Sequence, residues 1–132
     1  MTPARQPLVL LIESRDNLYE IFSDFLAEAG FAVDGASTVA EALEKSHRLQ
    51  PDVIVADVEA ADLRGRTTID GVRRMRETRH IPIVALRGAS DTVPRELGDV
   101  ILCKPCSAEQ LLGAIQSQLL APRQAPRPDS RE

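Results

Sequence analysis

The chain has 132 residues, 43% of them apolar and 27% charged, with a net charge of −4 and four aromatic side chains, Tyr19, Phe22, Phe25 and Phe31. That length suits one domain around one core, and the acidic balance with so few stacking rings argues against direct nucleic-acid binding. No apolar stretch approaches the roughly 20 residues of a membrane span, residues 1–6 lack the apolar centre of a secretion signal, and the cysteines are too few for a disulfide framework, so a cytoplasmic address is expected.

Leu8–Ile12 is a continuous apolar run, the pattern of a parallel strand buried on both faces. Leu18, Ile21, Phe22, Phe25 and Leu26 then recur at helical spacing, with Gly30 suited to a stop in left-handed backbone. Residues 31–33 read as a short strand. Thr38 and Glu41 form a capping box that opens a second helix carrying Val39 and Leu43 on one face. Pro51 closes the connection into a strand at 53–56 that stops on Asp57.

After Asp57 periodicity lapses until Thr68, Ile69, Val72 and Met75 mark a third helix, weakened by Gly71 inside it. Residues 83–86 and Val100–Cys103 supply two further strands. Between them only 89–97 remains, and Pro94 leaves room for little more than two helical turns. Ser107 and Gln110 form another capping box, ahead of a stripe of Leu111, Leu112, Ile115 and Leu119. From Ala121 the composition shifts to Pro, Arg, Gln and Ser, which predicts a disordered tail over 122–132, a domain over 8–121 and a lead of residues 1–7.

Strands alternating with helices predict an α/β fold with a doubly wound parallel sheet and helices on both faces. Right-handed crossovers put every strand's carboxyl end on one edge, where open α/β sheets bind ligands. Glu13 follows the first strand, Asp57 the third, Arg87 the fourth and Lys104 the fifth. Two carboxylates and an ammonium there suit a divalent cation together with an anionic group, since hard cations favour oxygen ligands and lysine neutralises phosphate. No glycine-rich phosphate loop is present.

Those residues, with Gly65 eight positions after Asp57 and Lys104-Pro105 after the fifth strand, resemble the receiver domain of two-component response regulators over about residues 8–120. The resemblance implies a flavodoxin-like five-stranded sheet in the order 2-1-3-4-5, here with a short or degenerate fourth helix. It implies a stand-alone bacterial response regulator that accepts a phosphoryl group on Asp57 from a histidine kinase or phosphotransfer protein. Such a domain signals by binding a downstream protein partner and is not an enzyme beyond magnesium-dependent self-phosphorylation and self-dephosphorylation. A homodimer is one implied arrangement, with neither nucleic acid nor membrane as a direct partner. Lys104 and Arg87 would bind phosphoryl oxygens, magnesium would lie between Glu13, Asp57 and the backbone carbonyl of Glu59, and Pro105 matches the family's cis-proline.

Three departures qualify this. The family has two adjacent acids after its first strand, whereas Glu13 is followed by Ser14. The magnesium site is therefore weakened, with Ser14 or Asp16 left to complete it. Arg87 stands at the family's hydroxyl switch position and Ile101 at its rotating aromatic. An arginine accepts no hydrogen bond; it can clamp a phosphoryl group or pair with Asp57 or Glu59. The alternative is thus a phosphorylation-independent pseudo-receiver, an interaction module.

Cys103-Lys104-Pro105-Cys106 raises a further alternative, thiol–disulfide chemistry in a thioredoxin-like setting. That fold needs a hairpin and a helix after the motif, and only one helix and a tail remain. Cys103 is expected to pack as a small core residue and Cys106 as an exchangeable apolar one. Arg64, Arg66, Arg73, Arg74, Arg76 and Arg79 read as a solvated basic face, with a dock for an acidic partner as the alternative. His47 and His80 show no ligand spacing and are expected at the surface.

Overall fold

A computed structural model describes residues 6–12, 16–58, 63–89, 93–94 and 97–121, with the side chains of 16–18 excepted. Glu13, Ser14, Glu59, most of the lead and the whole tail at 122–132 lie outside the described residues.

The elements run β1 (Leu8–Ile12), α1 (Asp16–Glu28), β2 (Ala32–Ala36), α2 (Val39–Leu49), β3 (Val53–Asp57), α3 (Arg64–Arg74), β4 (Ile83–Arg87), β5 (Val100–Cys103) and α4 (Ala108–Leu120). The strands form one sheet in the order β2-β1-β3-β4-β5, and every pair is parallel. This is the expected flavodoxin-like topology.

Alternation along the strands divides the core. Leu10, Ile54, Ala56, Ile83 and Ala85 pack against Ala42 of α2 and Ile69 and Val72 of α3. Val9, Leu11, Val53, Val55, Val84 and Leu86 pack against Phe22 and Leu26 of α1 and Leu111 and Ile115 of α4. Both faces of β1, β3 and β4 are covered, which is why these strands read as unbroken apolar runs. Each fully buried Val, Leu or Ile contributes about 1.5–3 kcal/mol by removal from water.

Several boundaries differ from expectation. Strand β2 starts one residue late and runs on to Ala36. Phe31 closes α1 instead, its N–H donating to the Leu26 carbonyl at 3.0 Å, and Ala32 opens the pairing through Pro7. The second half of β2 is hidden in the sequence because Asp34 and Gly35 interrupt the apolar pattern on an edge strand. Helix α3 begins at Arg64 and ends at Arg74, with Met75 already extended. Its interior Gly71 has a packing reason: a Cβ there would meet Leu43 Cδ2 at 2.6 Å, so the Leu43 side chain of α2 occupies that space.

Among the described residues between β4 and β5 there is no α-helix, and Leu97 N–H donates to the Pro94 carbonyl. Val93, Leu97 and Ile101 pack there against the α2/α3 side of the core. Gly30 has φ +101°, as a helix stop requires. Both arms of the Ser107/Gln110 capping box form. In the other box Thr38 Oγ1 accepts from Glu41 N–H, but the Glu41 carboxylate takes the N–H of Ser37, one residue earlier than expected. No described helix is long and apolar enough to cross a membrane.

Candidate functional site

The sheet's carboxyl edge is assembled by pairing that continues past the strands. Val58 N–H donates to the Leu86 carbonyl and Lys104 N–H to the Arg87 carbonyl, each at 2.8 Å. Alternation puts Asp57 on the face of Val53 and Val55, and Lys104 on the face of Val100 and Leu102. Their side chains therefore meet. Lys104 Nζ lies 2.7 Å from Asp57 Oδ2, with the Asp57 side chain 1% exposed and that of Lys104 14%. A carboxylate so removed from water needs a charged, hydrogen-bonded partner, and Lys104 supplies it.

Behind Asp57 stands the first turn of α3. A Cβ on Gly65 would lie 1.8 Å from the Asp57 carbonyl oxygen, 2.7 Å from its carbon and 3.3 Å from Val58 Cγ1. Only glycine lets the helix rest on that peptide. The Lys104–Pro105 peptide is cis, and Ser107 caps α4 directly after it.

Arg87 ends β4 half-buried, on the α2/α3 side with Ile83 and Ala85. Its Nη1 donates to the Gly88 carbonyl at 3.2 Å. Ile101, which pairs with Ala85, is half-buried on the same side, so the two expected switch positions share a face. Of the expected metal ligands, Asp57 is described and lies at the sheet's carboxyl edge. Glu13, Ser14, Glu59 and the Asp16 side chain lie outside the described residues, among which no three His, Cys, Asp or Glu side chains gather to hold a metal. Asp57 supplies the oxygen chemistry that magnesium favours.

Cys103 and Cys106 form no disulfide. Cys103 is exposed, not a core residue, because β5 is the sheet's edge strand and its last residue is left uncovered. Cys106 is half-buried against the α1/α4 side of the core. Every described strand pair is parallel and β5 leads into α4, so the hairpin of a thioredoxin-like setting is absent among the described residues.

The arginines also divide. Arg74 and Arg76 are exposed, as is His80. Arg64 Nη1 donates to the Ser37 carbonyl at 2.6 Å. Arg73 is not part of a solvated face: it donates to the carbonyls of Arg79 and Ile81, each at 3.1 Å, and to Asp99 Oδ2 at 2.8 Å. Asp99 was not anticipated, although an acid immediately before an apolar strand is the kind of residue that can take a neighbouring strand's first N–H. Its Oδ2 accepts from Ile83 N–H at 2.8 Å.

A doubly wound five-stranded sheet with a lysine-paired aspartate on its carboxyl edge defines a flavodoxin-like receiver fold. A family model described as the response regulator receiver domain matches residues 9–116, and the chain belongs to that family of two-component signalling proteins. At 22% identity over 116 residues, spanning 84% of this chain and 94% of the relative, it is similar to the polar-differentiation response regulator DivK of Brucella ovis. Among solved structures it is similar to the chemotaxis response regulator CheY4 of Vibrio cholerae, with 27% identity, 87% of this chain and 100% of that chain covered, and TM-score 0.75. A receiver domain of a sensor histidine kinase from Pseudomonas aeruginosa, with magnesium coordinated in its active-site cleft, shares the fold at 22% identity and TM-score 0.78, over 89% of this chain and 100% of that one. Receiver domains act as magnesium-assisted sites of their own phosphorylation and dephosphorylation, not as enzymes with a separate substrate.

Proposed function

We propose that Asp57 is the phosphoacceptor of this chain, receiving its phosphoryl group from the phosphohistidine of a histidine kinase or phosphotransfer protein and signalling through a downstream protein partner. The observation that carries the proposal is the 2.7 Å contact between Lys104 Nζ and a nearly buried Asp57 carboxylate at the sheet's carboxyl edge. An Asp57 oxygen attacks phosphorus, the bond from phosphorus to the imidazole nitrogen breaks, and the electron pair leaves with that nitrogen, the proton on the other ring nitrogen of the phosphohistidine letting the imidazole depart neutral. Lys104 donates to a phosphoryl oxygen as charge builds there, with Arg87 as a second cationic donor. Magnesium held by Glu13, Asp57 and the Glu59 carbonyl would neutralise phosphoryl charge, and the neutral hydroxyl of Ser14, or Asp16 in its place, makes that site weak.

The test is labelling by acetyl phosphate in magnesium, followed by intact mass with Asp57→Asn as the control. Gain of one phosphoryl group by the wild type alone supports the reading. A second reading, a phosphorylation-independent interaction module, is favoured by Arg87, whose side chain cannot serve as a hydroxyl switch; absence of any label would select it. We take residues 8–121 as the folding unit, so a chain ending at Ala121 should keep a single cooperative unfolding transition at an unchanged midpoint.

A further inference from the structure

Among the described residues two cations, not one, stand at the strand ends around Asp57. Lys104 follows β5 and contacts the Asp57 carboxylate, while Arg87 ends β4, the strand between β3 and β5. Their backbones are tied by the bond from Lys104 N–H to the Arg87 carbonyl. Alternation sends the side chain of Arg87 to the α2/α3 side and that of Lys104 to the other, so the cations leave the edge on either face of it. On the acidic side, Glu13 is followed by the neutral Ser14. Among the described residues the strand ends thus supply the Asp57 carboxylate and two cations, Arg87 and Lys104, so a divalent ion is not the only source of positive charge.

A phosphoryl group in transfer spreads its charge over its three equatorial oxygens, and catalysis consists mainly of positioning and neutralising that charge. A guanidinium is charged throughout the working pH range and presents a planar fork that matches phosphoryl oxygens two at a time. We propose that Arg87, with Lys104, supplies the positive charge at the phosphoryl group, so that Asp57 accepts from a small acyl phosphate with little dependence on divalent cations. This rests on the reading of Asp57 as phosphoacceptor. In the step, a bond forms from an Asp57 oxygen to phosphorus, the bond from phosphorus to the acyl oxygen breaks, and the electron pair leaves with the carboxylate product. No proton has to move.

The full chain is incubated with acetyl phosphate in magnesium or in EDTA, and labelling rates are read by intact mass. The wild-type rate in EDTA is expected to lie within about tenfold of the magnesium rate. Arg87→Ala is expected to be slower in both, with its magnesium-to-EDTA ratio raised by about tenfold or more. Arg87→Lys, which keeps the charge without the fork, should fall between. Wild-type labelling that requires magnesium overturns this inference and leaves the acceptor reading standing; no labelling in either condition overturns both. An unchanged ratio in Arg87→Ala overturns the role of Arg87. A measurement independent of transfer is thermal stabilisation by inorganic phosphate in EDTA, expected in the wild type and lost in Arg87→Ala, with circular dichroism confirming that the variant is folded. Equal stabilisation of both chains overturns the proposal.

Discussion

The first turn of α3 is seated on the peptide of Asp57 through Gly65, where a Cβ would stand 1.8 Å from the Asp57 carbonyl oxygen. Backbone on both sides leaves no flexible side chain to give way. Gly65→Ala must therefore displace either the helix or the residue that carries the candidate acceptor. Overpacking of this kind costs about 1–3 kcal/mol, against a gain of under about 1 kcal/mol in helix propensity. The expected outcome is a lower urea midpoint with unchanged m, together with slower labelling of Asp57. A variant as stable as the wild type would show that the contact is looser than the backbone geometry requires.

Removing the two members of the central ion pair should have unequal effects. The Asp57 side chain is only 1% exposed, whereas that of Lys104 is 14% exposed and has a long flexible stem. Lys104→Ala strands a buried carboxylate and should cost about 2–4 kcal/mol. Asp57→Asn leaves an ammonium that can extend into solvent and should cost less than about 1 kcal/mol. Urea unfolding of the two single variants and the double variant tests this order. Equal losses would mean that the carboxylate is solvated once the lysine is gone.

The parts of the fold legible in the sequence were those governed by burial on both faces. Residues of β1, β3 and β4 are apolar without interruption because helices cover both sides of them. Edge elements were less legible: Asp34 and Gly35 sit within β2 because one side of that strand has no neighbouring strand. Helix α3 was located late, since Arg64, Gly65 and Arg66 carry no apolar periodicity. Its placement comes from close approaches, Gly65 on Asp57 and Gly71 against Leu43, which no hydropathy pattern encodes. Asp57 and Lys104 were legible because each directly follows an apolar strand run. Cys103 was misread as core for the same reason, an apolar pattern on a strand whose outer edge is open.

Asp99 holds the start of the sheet's last two strands. One oxygen takes Ile83 N–H and Arg73 Nη2, each at 2.8 Å, with the Asp99 and Arg73 side chains both 18% exposed. Asp99→Ala takes the carboxylate from a half-buried guanidinium, which keeps the Arg79 and Ile81 carbonyls, and leaves a strand N–H without that acceptor, and should cost about 2–3 kcal/mol. Asp99→Asn retains an acceptor for Ile83 N–H and should lose about half as much. Hydrogen exchange locates the effect: the Ile83 amide should lose protection in Asp99→Ala and keep most of it in Asp99→Asn. Full protection of Ile83 in the alanine variant would remove Asp99 from this role.

The cluster on α2 and β2 sets a pH dependence whose sign follows from its three charges. Lys45 Nζ lies 2.9 Å from Asp34 Oδ1 and 3.6 Å from Glu41 Oε2, and it donates to the Gly35 carbonyl at 2.7 Å. Burial opposes ionisation of Asp34, but the Lys45 hydrogen bond, the Gly35 N–H and the lysine charge outweigh it and lower its pKa. The Ser37 N–H, aided by Lys45, lowers that of Glu41. The Asp34 hydrogen bond raises that of Lys45 against its partial burial. Lowered carboxyl values give stability that is present above the ordinary carboxylate range and lost as pH falls through the folded-state values; the raised ammonium gives stability that is complete below the ordinary lysine value and lost as pH rises through the raised one. The difference in unfolding free energy between wild type and Lys45→Met should therefore be flat through neutral pH and shrink at both extremes. With Asp34 40% exposed at its side chain, the Asp34–Lys45 pair contributes at most about 1 kcal/mol, less in high salt. A difference that stays constant on acidification would mean that Lys45 stabilises the fold by its packing and its Gly35 hydrogen bond alone.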